Sequence, residues 1–334
     1  MPEGPVYHCG KFVRSLSSLG IFSVVALSLA ATAARQESLE QAGDGEKVPP
    51  GTMILLEGGT FAMGTPSEEA RGPFGLSAPS RKVSVRGFYI GKYPVTVQEF
   101  CEFLNDRGNP DGKYLYMFAP GTSDRIVLTR EGHYRPRKDD MRDFAAVDVT
   151  WLGATEYCRW QSGRTGRQYR LLSETEWEYA ARGKEGRKYP WGNEDPVSEA
   201  ERHREAASSG FGLTPIGAAS RVGSFPRSDT PEGVSDMLSW RWEWCSGAYP
   251  LDSQELRKAQ SGQIIQFPSP CYGREDSSTP WRILRGFGLV GLWDGIWHTT
   301  YTAIPAWTRW ACPPGTANIQ IGFRVAADVG VAAE

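Results

Sequence analysis

Between Gly286 and Arg309 the sequence gathers Trp293, Asp294, Trp297, His298, Tyr301 and Arg309. Indole and phenol faces stack on ring-shaped or planar ligands, while an acid, an imidazole and a guanidinium fix orientation. The combination suits a sugar, a peptide or a ring-bearing small molecule. No catalytic residue is assigned among them. The same rings serve plain core packing equally well, and the sequence leaves both uses open.

Other chemistries find less support. His133, His203 and His298 are far apart in sequence, whereas a facial metal site needs two histidines and a carboxylate converging on one ion. Cys101, Cys158, Cys245, Cys271 and Cys312 show no CxxC spacing and no alternation with histidine, so no structural zinc site is expected. No glycine-flanked serine elbow supports a Ser, His, Asp triad. No metal ligand is therefore assigned, and the cofactor is left unknown.

The elements that must position these groups are short. The stretch RLLSETEWEYAARG, Arg170 to Gly183, holds a capping box between Ser173 and Glu176, so a helix starts at Ser173. Trp177, Ala180 and Ala181 fall on one face, Glu174, Glu178 and Arg182 lie elsewhere around the axis, and Gly183 supplies a left-handed stop. The pattern predicts an amphipathic surface helix anchored by one large aromatic. A second capping box, Thr96 with Glu99, opens a helix ending at Gly108, and Thr150 caps a third through Trp160. Met53 to Leu56 and Thr60 to Met63, around Gly58-Gly59, predict a hairpin, and Lys82 to Ile90 a further strand. Asn109 to about Asp143 reads as a long irregular insertion with a solvated, mixed-sign charge run. Trp240, Trp242 and Trp244 alternate as on a strand with one aromatic face. Late strands are expected at Trp281 to Gly286 and Gln320 to Ala326.

The 334 residues are 40% apolar with formal net charge −2, enough for a substantial core and no footprint for nucleic acid. Gly 38, Pro 23 and Trp 12 suit a protein of turns and short strands. Lys11 and Arg14, an apolar run from about Leu19 to Ala31 and a small-residue cleavage site read as a signal peptide over residues 1–34. A polar leader over 35–51, one domain over 52–328 and a tail over 329–334 complete the division. Export to the periplasm or outside the cell is expected, with no stable membrane span after cleavage. Cleavage would leave an odd number of cysteines, so at least one thiol stays unpaired or pairs between chains. Oligomeric state is left open.

Taken in order, LLEGGTFAMGT (Leu55 to Thr65), FYIGKYPVTVQEFCEFLN (Phe88 to Asn105), VDVTWLGATEYCRW (Val147 to Trp160), RLLSETEWEYAARG, YPWG, VGSFP, WEWC, RILRG and IGFRVA resemble the formylglycine-generating enzyme, or sulfatase-modifying factor, family over residues 52 to 328. The resemblance implies an α+β fold, a loop-rich variant of the C-type-lectin fold with short strands and few helices, and an oxygen-dependent oxidoreductase ancestry. It also implies that the segment from Gly286 to Arg309 lines a ligand cleft, which makes Trp293, Asp294, Trp297, His298, Tyr301 and Arg309 the candidate substrate-binding set. The family's formylglycine chemistry uses two cysteines shortly after an RGGS-like strand to hold Cu(I). At that place this chain reads GFGLVGLWDGIWH, with neither thiol. The family disulfide is broken too, because Cys158 is kept but its partner position is Val325. Calcium sites are put in doubt by Ser239 and Trp240 where the family has an asparagine-glycine pair.

The resemblance thus implies an exported, divergent oxidase or maturation enzyme that does not generate formylglycine. It would act on a peptide or small molecule in the cell envelope. The alternative is a non-catalytic, lectin-like binding module for a peptide or glycan.

Overall fold

The computed structural model describes residues 51–66, 79–194, 221–239, 241–249, 280–287, 289–293 and 299–329. The signal peptide, most of the leader, Cys271, Asp294, Trp297 and His298 lie outside them. So do Trp240 and His203.

Both capping boxes form. Helix α1, Val97–Arg107, starts where the Glu99 carboxylate accepts from the Thr96 backbone N–H at 2.8 Å, and Gly108 ends it. Helix α2, Trp151–Thr165, begins on the Thr150 hydroxyl and runs one turn past the expected Trp160 before Gly166 stops it in the left-handed region. Helix α3, Glu174–Arg182, is capped reciprocally by Ser173 and Glu176. Gly183 closes α3 at φ 64, ψ −173, so its positive φ is needed although it does not enter the left-handed helical well; its N–H still reaches the Tyr179 carbonyl at 2.8 Å.

Strands β1 (Met53–Leu56) and β2 (Gly59–Met63) do not form the expected hairpin. Instead β1 pairs with β4 (Phe88–Gly91), and β2 pairs with β3 (Arg81–Val85). The reason lies at Gly58, whose φ of 78 turns the chain across to the next partner. A Cβ there would sit 2.5 Å from the Val85 carbonyl oxygen, so the crossing admits only glycine. The expected single strand over Lys82 to Ile90 is accordingly split in two.

The expected irregular insertion contains a small hairpin of β5 (Ile126–Leu128) and β6 (Tyr134–Pro136), while the charged residues that follow are largely exposed as expected. After β7 (Tyr169–Leu171), the chain makes β8 (Trp242–Ala248), β9 (Arg282–Arg285), β10 (Leu289–Trp293), β11 (Thr299–Ala303), β12 (Trp310–Cys312), β13 (Ile321–Gly322) and β14 (Val325–Asp328).

One four-stranded sheet has the order β1-β4-β14-β7 and another β12-β9-β8-β13, the last pair parallel; β10 and β11 form a hairpin of their own. The core falls into two clusters. Phe100, Phe103, Tyr157, Trp160 and Phe323 pack α1 and α2 together with edge-to-face rings 5.3 to 5.9 Å apart. Trp177, fully buried, anchors α3 against the second cluster with Phe61, Phe88 and Ile90. No helix among the described residues is long and apolar enough to cross a membrane.

Candidate functional site

The polar side of α3 is not a solvent face. Glu174, Glu178 and Arg182 recur at helical spacing, and Glu178 and Arg182 are 1% and 3% exposed. Burying them is tolerable because every charge meets a partner. Arg182 donates to Glu178 at 2.6 Å and to the carbonyls of Ala62, Arg187 and Gly186, which ties α3 to β2 and to the turn that follows the helix. Glu178 also accepts from the Gly64 backbone N–H at 2.7 Å and pairs with Arg285 of β9.

Arg285 donates onward to the carbonyls of Trp307 and Thr308 at 2.7 and 2.8 Å, fixing the approach to β12. Burial opposes its charge, but Glu178 and Glu174 outweigh that and raise its pKa. Glu174 lies 3.7 Å from Arg285 and 2.8 Å from Arg309, and the Arg309 guanidinium stacks over Tyr249 at 4.7 Å. A small cleft opens over this group, lined by Met63, Gly64, Pro79, Arg81, Glu174, Glu178, Trp307 and Arg309.

Opposite this cluster, Trp177 donates its indole N–H to Glu243, which is gripped by Arg324. Arg324 spends its remaining donors on the carbonyls of Gly91, Lys92 and Ser235. Helix α3 is therefore held between two buried ion clusters.

Of the six residues predicted from sequence, Arg309 is the one whose side chain the structure places, and it belongs to the buried network. Trp293 and Tyr301 occur on paired strands, in register Trp293↔Thr299 and Gly291↔Tyr301, so the hairpin carries both. Asp294, Trp297 and His298 lie outside the described residues. Sequence reasoning missed Glu174, Glu178, Arg81 and Trp307. The available signal was the recurrence of Glu174, Glu178 and Arg182 one helical turn apart, which marks a charged stripe needing partners once the opposite face is also buried.

The described residues do not fit a Cu(I) site of the two-thiolate kind. Cys101, Cys158 and Cys245 are thiols at 2%, 3% and 0% exposure. Burial pushes Cys101 up to about 12 and raises Cys158 and Cys245 as well, so none is a thiolate at neutral pH. Cys312 is buried on β12 opposite Arg282, away from the β9 to β10 turn, where no sulfur occurs. No group of three or more His, Cys, Asp and Glu side chains converges among the described residues.

The chain matches the family described as "Sulfatase-modifying factor enzyme 1-like domain" over residues 39–329. It is 27% identical over 320 residues to bovine "Inactive C-alpha-formylglycine-generating enzyme 2", covering 86% of this chain and 91% of that protein. It is 29% identical over 313 residues to the hercynine oxygenase of Mycolicibacterium thermoresistibile, covering 86% of this chain and 62% of the oxygenase. Among solved structures, PvdO from Pseudomonas aeruginosa superposes with TM-score 0.52 at 25% identity, over 84% of this chain and 100% of that one.

Proposed function

Because this chain belongs to the sulfatase-modifying factor family and shares its α+β, C-type-lectin-like fold, we propose that it is an exported, divergent oxidase or maturation enzyme that does not generate formylglycine. Its ligand in this reading is a peptide or small ring-bearing molecule held by the face that Gly286 to Arg309 contributes. One observation carries the proposal: the turn from β9 into β10 has no sulfur, and Cys101, Cys158 and Cys245 are sealed and protonated. Cu(I) needs soft thiolates, so the formylglycine reaction lacks its metal ligands here. A relative of similar length whose name marks it as inactive supports the separation of scaffold from that reaction.

The test is to supply purified chain with Cu(I) and a cysteine-containing sulfatase peptide and look for the aldehyde by mass spectrometry, beside oxygen-uptake measurements with other peptides. We expect no aldehyde, together with oxygen uptake on a non-sulfatase substrate. Aldehyde formation refutes the proposal. Ligand binding with no turnover under any condition replaces it with the lectin-like binding module.

A further inference from the structure

The buried network around α3 is unbalanced. Among the described residues it joins three guanidiniums, Arg182, Arg285 and Arg309, to two carboxylates, Glu174 and Glu178. The acids are already shared. Glu178 serves Arg182, Arg285 and the Gly64 N–H, and one oxygen of Glu174 lies within ion-pair distance of both Arg285 and Arg309.

Arg182 and Arg285 direct their terminal nitrogens onto backbone carbonyls and Glu178, although the buried Arg285 Nε, like that of Arg309, makes no hydrogen bond among the described residues. Arg309 differs. Its Nε faces Glu174, but neither terminal nitrogen donates to a carbonyl or carboxylate among the described residues. At 12% exposure it reaches the cleft with most of its stem covered, and Arg81, exposed at the start of β3, adds a second positive charge to the same lining. An arginine left with unused terminal donors, in a cleft whose two acids are shared among three guanidiniums, is built for an oxyanion.

We propose that Arg309, with Arg81 at the mouth, binds the carboxylate of the ligand, so that the molecule accepted by this face is a carboxylic acid. This rests on the ligand-binding reading of Gly286 to Arg309 and narrows it to one chemical class. Burial holds the Arg309 guanidinium below its usual pKa, a strain that a bound carboxylate relieves.

The test compares N-acetyltryptophan with N-acetyltryptophanamide, which differ only in the carboxylate, by titration calorimetry on the intact chain. The acid is expected to bind at least about tenfold more tightly than the amide, as a charge-assisted bidentate contact implies. Arg309→Gln should abolish the preference and Arg81→Gln should reduce it about threefold. Thermal melts establish that each variant is folded; if Arg309→Gln does not fold, Arg81→Gln carries the test, because Arg81 is exposed.

Equal binding of acid and amide overturns the carboxylate site while leaving a ring-binding face intact. A preference unmoved in every folded variant overturns it as well. No binding of either probe means that the extra positive charge is met within the chain, and the proposal fails. Formylglycine production would refute the functional reading without touching the acid-to-amide ratio, so the two failures are distinguishable.

Discussion

Glu243 holds Arg324 through both carboxylate oxygens, each at 2.7 Å, across 81 positions of sequence and with neither side chain more than 4% exposed. The pair joins β8 to the segment between β13 and β14, and the Trp177 indole N–H leans on the same carboxylate. A charge buried this deeply is tolerable only while its partner remains.

Glu243→Gln should therefore cost about 3 to 5 kcal/mol, because it leaves Arg324 buried without its counter-charge. Guanidinium unfolding followed by circular dichroism measures it. The double variant Glu243→Met with Arg324→Leu should lose distinctly less than the single one, since it removes both charges. A single-variant cost below about 1 kcal/mol, the range of an exposed pair, would mean that Glu243 and Arg324 do not hold β8 in place.

Stability should fall as pH rises through the neutral range. Burial pushes the Asp148 carboxyl up to about 7 and Asp229 up to about 6. Both therefore keep a proton in the folded state that the unfolded chain gives up near pH 4. Between those values the folded state binds more protons, so its advantage is fully present below about pH 4 and is lost as pH climbs through about 7. Asp124 opposes the ionised form of Asp148 and Arg125 favours it, while the Asp124 N–H donates to Asp148 at 2.8 Å. Asp148→Asn keeps an acceptor for that N–H and tolerates the φ of 60 found there. It should flatten the pH dependence by an amount on the order of 3 kcal/mol between pH 4 and pH 8. Urea titrations across that range decide the matter, and an unchanged slope in Asp148→Asn counts against it.

Iodoacetamide should leave Cys101, Cys158 and Cys245 unmodified in the folded chain and label all three after denaturation. Each is buried, and their raised pKa values keep the reactive thiolate scarce. Peptide mapping by mass spectrometry reads the outcome residue by residue. Native-state labelling of Cys245 would show that the β8 region opens locally.

The parts of the fold visible in sequence were those governed by neighbours a few residues apart. Thr96 with Glu99 and Ser173 with Glu176 are complete local devices, and both form as read. The β1 to β2 hairpin failed because a glycine turn between apolar runs does not state which strand comes next, and the close approach of Val85 to Gly58 is a long-range event. Likewise, Glu178 and Arg182 have the pattern of a solvent face; distant partners, Arg285 and the backbone of Ala62 and Gly64, more than a hundred positions away, make their burial possible. Arg309 was picked out from sequence, but its partner Glu174 was not, since nothing local links them.

Strand β14 lies inside its sheet, between β4 and β7, and it supplies almost the last residues of the described chain. Until those residues leave the ribosome, β4 and β7 have no common neighbour and Glu243 awaits the arginine just upstream. A nascent chain is thus committed to waiting: the barrier to the finished sheet is crossed only once β14 has been made. A polypeptide cut before Val325 would carry an unfilled gap between β4 and β7, exposed to proteases and to other copies of itself.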